Sequence, residues 1–342
     1  MKKVLVVALV LVLVAGLITG CGGGGKQPAG DAGKQPDAGK KEPLVLKAGH
    51  SVAETHPYHL GLVKFKELVE QYTNGEVQLQ IFANSSLGAE RELVEGMQIG
   101  SVDVVLSSTG PIGGFAPLMG VVDLPFLFRD EQHAYKVLDG PIGDKLMGEL
   151  EKAGIIGLAF WENGFRNVTN NKREVKKPED LKGLKLRTME NPVHMAAFKQ
   201  LGADPTPMAF SELFTALQTG AMDGQENPIP IIYNNRLYEV QKYLSLTGHF
   251  YSPSPLMISK LTWDKLSNEQ KEAFKKAGKE AGAYERNLIA QQTAEQVDKL
   301  KEKGMVVTEV DKSLFLEATK PVYQQFESKF GKDLIDQIIN TK

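Results

Sequence analysis

The sequence predicts an α/β protein of two lobes joined by one long helix. Three observations carry this reading: strand-like and helix-like segments alternate from Pro43 onward, a helix-glycine-strand unit starting at Glu92 recurs at Glu212, and a helical rhythm near the C-terminus outruns one lobe. Of 342 residues, about 300 follow an N-terminal leader and linker, more than one ordinary core sustains.

The elements follow in order. Apolar residues 44–48 read as a strand, and a helical stretch to Tyr72 places Leu62, Phe65 and Val69 on one face. Asn74-Gly75 marks a turn, after which Val77, Leu79 and Ile81 alternate as in a strand. Residues 89–98 read as a second helix that leads through Gly100 into a strand over 102–106. Strand, helix, strand, helix, strand is the pattern of a sheet with parallel crossovers.

The repeat matches Glu92-Leu-Val-Glu-Gly-Met-Gln-Ile-Gly-Ser-Val-Asp103 to Glu212-Leu-Phe-Thr-Ala-Leu-Gln-Thr-Gly-Ala-Met-Asp223. In each copy a helix ends near Gln, a glycine supplies the positive φ that stops it, and a strand begins. Ser267-Asn-Glu-Gln270 has capping-box spacing, and Phe274, Ala277, Ala281, Tyr284 and Leu288 keep a three-four rhythm that Val297 and Leu300 extend to Gly304. Unbroken at Gly278 and Gly282, such a helix spans roughly 54 Å and crosses both lobes.

The N-terminus reads as a signal peptide over residues 1–20: Lys2 and Lys3 precede an apolar run too short for a comfortable membrane span. Ile18-Thr-Gly-Cys21 resembles a bacterial lipobox, which makes Cys21, the single cysteine, a lipid attachment site. Residues 21–43 are rich in Gly, Lys, Gln, Pro and Ala, with Gly-Lys-Gln-Pro written at Gly25 and again at Gly33, and read as a flexible linker. Residues 20–26 have the glycine and lysine spacing of a phosphate-binding loop, but Gln27 stands where Ser or Thr belongs. With 40 basic and 42 acidic residues the net charge is -2, so nothing favours nucleic acid or an anionic lipid surface.

The residues that carry chemistry suit the holding of an acid. Arg187 ends the strand-like run that closes Asp180-Leu-Lys-Gly-Leu-Lys-Leu-Arg187, and ligands of open α/β sheets lie outside strand carboxyl ends. Its planar fork of donors matches a carboxylate, although a strand-end arginine also serves in salt bridges. Arg166 either binds the ligand or is neutralised by Glu162 or Glu190. Asn227, before Pro228, offers an amide to a carboxylate or forms a turn. Phe210 stacks on the ligand or staples the helix that starts near Ser211. Ser51, Glu90 and the stretch Ser107-Ser108-Thr109 lie at strand ends or a helix start of the first lobe, and His249 lies near a hinge. The rival constellation is His50, His56 and His59 with Glu54 as a zinc site, although Pro57 places His56 at a helix N-terminus. GxSxG, HExxH and a second cysteine are missing, so no enzyme activity, metal or cofactor is expected.

Asp123-Leu-Pro-Phe-Leu-Phe128, Glu162-Asn-Gly-Phe-Arg166, residues 181–187, 205–217 and 223–228 together resemble the DctP-type solute-binding proteins of tripartite ATP-independent periplasmic (TRAP) transporters, from about Leu44 to the C-terminus. The resemblance implies a two-lobed periplasmic-binding-protein (Venus flytrap) fold, with lobes at residues 44–163 plus 253–292 and 164–252 plus 293–342, the chain crossing near Gly164 and Ser252. It implies a receptor, monomeric, that closes over a small organic acid and delivers it to a large and a small integral membrane subunit. Arg187 then pairs with the ligand carboxylate, and Asn227, Arg166 and Phe210 line the cleft. Ser108 falls where sialic acid-binding relatives carry an acidic residue, which argues against that sugar. A C4-dicarboxylate, a sugar acid and a short hydroxy or keto acid all stay open. So do two other readings, a binding protein for another transporter or chemosensor and a periplasmic metalloenzyme.

Overall fold

The computed structural model describes residues 42–342; the leader, Cys21 and all but the last two linker residues lie outside the described residues. Among the described residues no helix is long and apolar enough to cross a membrane. Nine strands of the described residues form one sheet: β1 Leu44–Gly49, β2 Val77–Phe82, β3 Val104–Leu106, β4 Ile155–Asn170, β5 Lys185–Thr188, β6 Asp204–Pro207, β7 Gly224–Pro228, β8 Tyr243–Ser259 and β9 Val306–Thr308. Their order is β2-β1-β3-β8-β4-β7-β5-β6, with β9 on β8. The β1, β2 and β3 group is parallel, and so is the β5, β6 and β7 group. Between them β4 and β8 run antiparallel to each other and belong to both groups. The two lobes therefore share these long strands.

Alternate side chains of a strand face opposite sides of the sheet, and the core divides accordingly. Val104, Leu106, Leu256 and Ile258 join one buried apolar cluster, whereas Val105 and Met257 join the other. The repeat seen in the sequence has a structural counterpart. Helix Glu90–Ile99 ends at Gly100, helix Phe210–Gln218 ends just before Gly220, and both glycines have positive φ. Asp103 accepts from the Lys47 backbone N–H and Asp223 from that of Lys185, so each carboxylate pins the start of its strand to a neighbour.

Helix Asn268–Glu302 runs unbroken for 35 residues from the Ser267 capping box. Of the two glycines at which it was open to breaking, Gly282 instead lets it approach the sheet. A Cβ on Gly282 would lie 2.6 Å from the Trp161 ring, and one on Gly61, in helix Pro57–Tyr72, 2.7 Å from the same ring. Trp161 Nε1 donates to the Gly278 carbonyl at 2.9 Å. Before Gly164, β4 pairs with β8 alone, and the long helix covers its other edge: Arg286 donates to the Phe160 carbonyl at 2.7 Å and the Glu162 N–H to Glu285 at 3.1 Å. A strand edge with its polar groups satisfied in this way resists pairing with another chain.

Glu162 and Glu285 carry an acid-base consequence. Burial pushes the Glu162 carboxyl up to about 7, against an opposing hydrogen bond from Tyr135. Burial, with Glu162 next, raises Glu285 well above the carboxylate range. A carboxyl raised on folding costs nothing where both states are protonated. Its penalty grows as pH rises from the ordinary carboxylate range to the folded pKa, and is constant above it. From pH 5 to about 7 is two units at about 1.4 kcal/mol each. Urea unfolding of Glu162→Gln is therefore expected to show an advantage over the parent that is about 3 kcal/mol larger at pH 8 than at pH 5; an advantage independent of pH would contradict the buried acid.

Candidate functional site

Arg187 occupies the carboxyl end of β5, between β6 and β7, and is 1 % exposed. Its Nε donates to the Met208 carbonyl at 2.9 Å, and its guanidinium carbon lies 6.0 Å from the centre of the Phe210 ring. Nη1 is buried and has no partner. Burial lowers the guanidinium pKa to about 10, which leaves it charged at neutral pH. Glu226 and Glu90 act on it from a distance, but among the described residues no carboxylate lies within ion-pair distance, so desolvation outweighs the attraction.

Arg166, in β4, is equally buried and also leaves its Nη1 without a partner, but unlike Arg187 it is held in an ion pair. Its Nη2 donates to Glu226 Oε1 at 2.8 Å, to the Glu226 carbonyl and to Asn227 Oδ1, and its Nε donates to Glu226 Oε2. The neutralising partner is Glu226, not the Glu162 or Glu190 expected from the sequence. Glu162 is occupied with Tyr135, and Glu190 is exposed. Antiparallel pairing of β4 with β7 places Val168 opposite Glu226 and so brings together residues 60 positions apart. Burial alone would raise the Glu226 pKa; Arg166 and the hydrogen bond from His249 outweigh it and hold the carboxyl well below its usual range. His249 Nε2 faces Glu226 at 3.2 Å and its Nδ1 faces the Thr247 hydroxyl at 2.7 Å. Burial lowers the His249 pKa, so a neutral ring donates to Glu226 and accepts from Thr247.

Arg187, Asn227, Phe210, Ser51, Glu90 and Ser108 border one small cavity, with Arg166 and His249 behind Asn227. The free space is about 10 Å³, room for no more than about one water, so the side chains have closed on each other. Phe210 is the first residue of its helix, not the residue before the cap, which rules out the staple role. Across from Arg187, Glu90 Oε1 accepts from the hydroxyls of Ser107 and Ser108 and from the Ser108 N–H, at 2.9 to 3.2 Å. Tyr58, Asn163 and Met189 also border the space and were not foreseen. Asn163 belongs to the Glu162-Asn-Gly stretch before Arg166 and leaves its buried Oδ1 without a partner. Tyr58 hydrogen-bonds Ser254.

The histidine constellation resolves differently. His56 caps helix Pro57–Tyr72 through Nδ1, and His50 and His59 hydrogen-bond each other at 3.0 Å. Burial lowers His50 and His56 to about 3. Among the described residues no group of three or more His, Cys, Asp or Glu is placed to hold a metal ion. A groove of about 540 Å³ between residues 141–150, the start of β4 and the long helix is larger, but its Arg286 is paired with Asp139 at 2.6 and 2.9 Å.

Two parallel half-sheets sharing two long strands, with a spare buried guanidinium where they meet, define a two-lobed solute-binding protein. The chain belongs to the bacterial extracellular solute-binding proteins of family 7, the DctP family, whose profile matches residues 48–329. It is 42 % identical to the 2,3-diketo-L-gulonate-binding periplasmic protein of Escherichia coli, over 84 % of this chain and 88 % of that one. It is 34 % identical to a C4-dicarboxylate-binding protein of Bacillus subtilis, over 89 % and 88 %. A solved TRAP periplasmic solute-binding protein from Polaromonas, bound to D-erythronate, superposes with a TM-score of 0.86 at 47 % identity, covering 87 % of this chain and 99 % of that one. These relatives are binding proteins rather than enzymes, and the family is extracytoplasmic.

Proposed function

We propose that this chain captures a small organic acid between its two lobes and delivers it to the large and small membrane subunits of a TRAP transporter. The observation that carries the reading is the buried guanidinium of Arg187, which has no ion-pair partner among the described residues and whose Nη1 has no hydrogen-bond partner. A ligand carboxylate supplies the missing counter-charge and two parallel hydrogen bonds. Asn227 and Phe210 complete that wall, Ser51, Glu90 and Ser108 form the opposite one, and the Arg166, Glu226 and His249 group holds Asn227 from behind. The lobes are residues 44–163 plus 253–292 and 164–252 plus 293–342, and Gly164, with φ of 107° and paired to Ser252, lies at the crossing. Because the closed cavity has no room for an acid, the lobes part to admit one, and the acid favours the closed form by binding it better. The relatives' ligands, a diketo sugar acid, a C4-dicarboxylate and an aldonate, are all carboxylates. Cys21 tethers the receptor outside the cytoplasmic membrane; Cys21→Ser is expected to leave the membrane fraction, and retention there would contradict the anchor.

Thermal unfolding of the purified protein against dicarboxylates, sugar acids, keto acids, neutral sugars and amino acids tests the function. An acid at about a hundred times its Kd is expected to stabilise by roughly 2.7 kcal/mol. Stabilisation by no acid, or by neutral sugars alone, would contradict it.

A further inference from the structure

The two lobes also touch each other beside the cavity. Past the carboxyl end of β3 the chain runs through Ser108 to Gly110, and past that of β5 through Met189 to Asn191, so these segments come from opposite lobes. Ser108 and Met189 border the cavity, whereas Thr109, Gly110, Asp123 and Asn191 do not. The Ser108 hydroxyl lies 3.2 Å from Met189 Sδ. Gly110 lets Met189 come close, since a Cβ there would lie 2.6 Å from Met189 Cε.

Asn191 reaches further across the boundary. Its Oδ1 caps helix Pro192–Gln200 by accepting from the N–H groups of Val193 and His194 at 2.8 and 3.2 Å, which fixes the amide. Nδ2 is left facing the other lobe, where it donates to Asp123 Oδ2 at 2.7 Å and to the Gly110 carbonyl at 3.3 Å. Asp123 is fully buried. Its Oδ1 accepts from Thr109, of its own lobe, at 2.8 Å, and among the described residues Asn191 is the single donor to Oδ2. Among the described residues no lysine or arginine pairs with Asp123, and His194 Nε2, 3.6 Å from Oδ1, makes no hydrogen bond. A buried carboxylate with so few donors depends on each of them.

We propose that Asn191 and Asp123 form a latch between the lobes, which adds to affinity by stabilising the closed form and does not read the ligand. This rests on the closure of the lobes over an acid. Apparent affinity scales with the fraction of the protein in its binding-competent form. A contact made only on closing therefore strengthens the binding of every acid by the same factor.

Asn191→Asp tests the latch. Aspartate caps a helix about as well as asparagine does, so the cap is kept, but a second carboxylate then faces Asp123 in the closed form. Calorimetric titration of the full-length protein at pH 8 with D-erythronate, D-galactonate and succinate is expected to show that Asn191→Asp binds each acid that the parent binds at least about tenfold more weakly. The affinity ratios among those acids are expected to stay within about twofold of the parent's. Asp123→Asn combined with Asn191→Asp places one amide and one carboxylate face to face again, in reversed order, and is expected to recover most of the loss. The unfolding midpoint of ligand-free Asn191→Asp is expected to stay near the parent's, because opening separates the two carboxylates; a purely structural pair would lower it. Unchanged affinity in Asn191→Asp, a loss that differs from acid to acid, a loss that the exchange does not recover, or a lowered ligand-free midpoint would each overturn the proposal. If no acid binds the parent, or if acids bind Arg187→Ala as they bind the parent, the underlying reading falls instead.

Discussion

Arg187→Ala is expected to weaken binding of the cognate acid by about 2 to 5 kcal/mol, on the order of 30-fold to several thousand-fold, when followed by calorimetry. The same substitution is expected to change the stability of the ligand-free protein by less than about 1 kcal/mol, because relief of the desolvation penalty offsets the lost hydrogen bond to the Met208 carbonyl and no ion pair is broken. This pairing of results separates the two roles open to a strand-end arginine. A structural ion pair would lose stability without ligand, and a ligand clamp loses affinity. Arg187→Lys retains the charge but not the planar fork, so its affinity should fall between the two. Binding within twofold of the parent in Arg187→Ala would contradict the assignment.

The second large effect concerns folding. Glu226→Ala is expected to cost about 3 to 5 kcal/mol in urea unfolding, because it leaves Arg166 charged and buried among groups that cannot neutralise it. Replacing both partners, Arg166→Met with Glu226→Leu, is expected to recover most of that loss, since two apolar side chains need no counter-ions. A loss below about 1 kcal/mol in the single variant would mean that the pair is not what holds β4 to β7. The pH dependence has the opposite sign to that of Glu162. Glu226 is held below its unfolded pKa, so its contribution is complete above the ordinary carboxylate range and is lost as acid protonates the folded state.

Local signals in the sequence located much of this. Alternation and turn residues placed β1, β2, β3 and the two helices between them, and the Asn74-Gly75 turn carries positive φ at both residues. Pro57 marked His56 as a cap, and Ser267 with Gln270 marked the start of the long helix. Arg187 was legible because it stands at a strand end within an apolar run. What stayed hidden depends on pairing between distant segments. Glu226 neutralises Arg166 through the β4 and β7 register, whereas sequence proximity favoured Glu162 and Glu190. The glycines of the long helix read locally as breaks, and only the packing of Trp161 shows why Gly282 is there. Tyr58 and Asn163 reach the cavity from a helix face and a strand irregularity, neither of which leaves a motif.

The most direct test of the central claim is a crystal structure of the protein grown with the acid that stabilises it most. The expected result is one carboxylate of the ligand at about 2.7 to 2.9 Å from Arg187 Nη1 and Nη2, with the Arg166 to Glu226 pair intact behind Asn227. A carboxylate bound by Arg166 after it has left Glu226, or an acid seated in the groove beside the long helix, would contradict it.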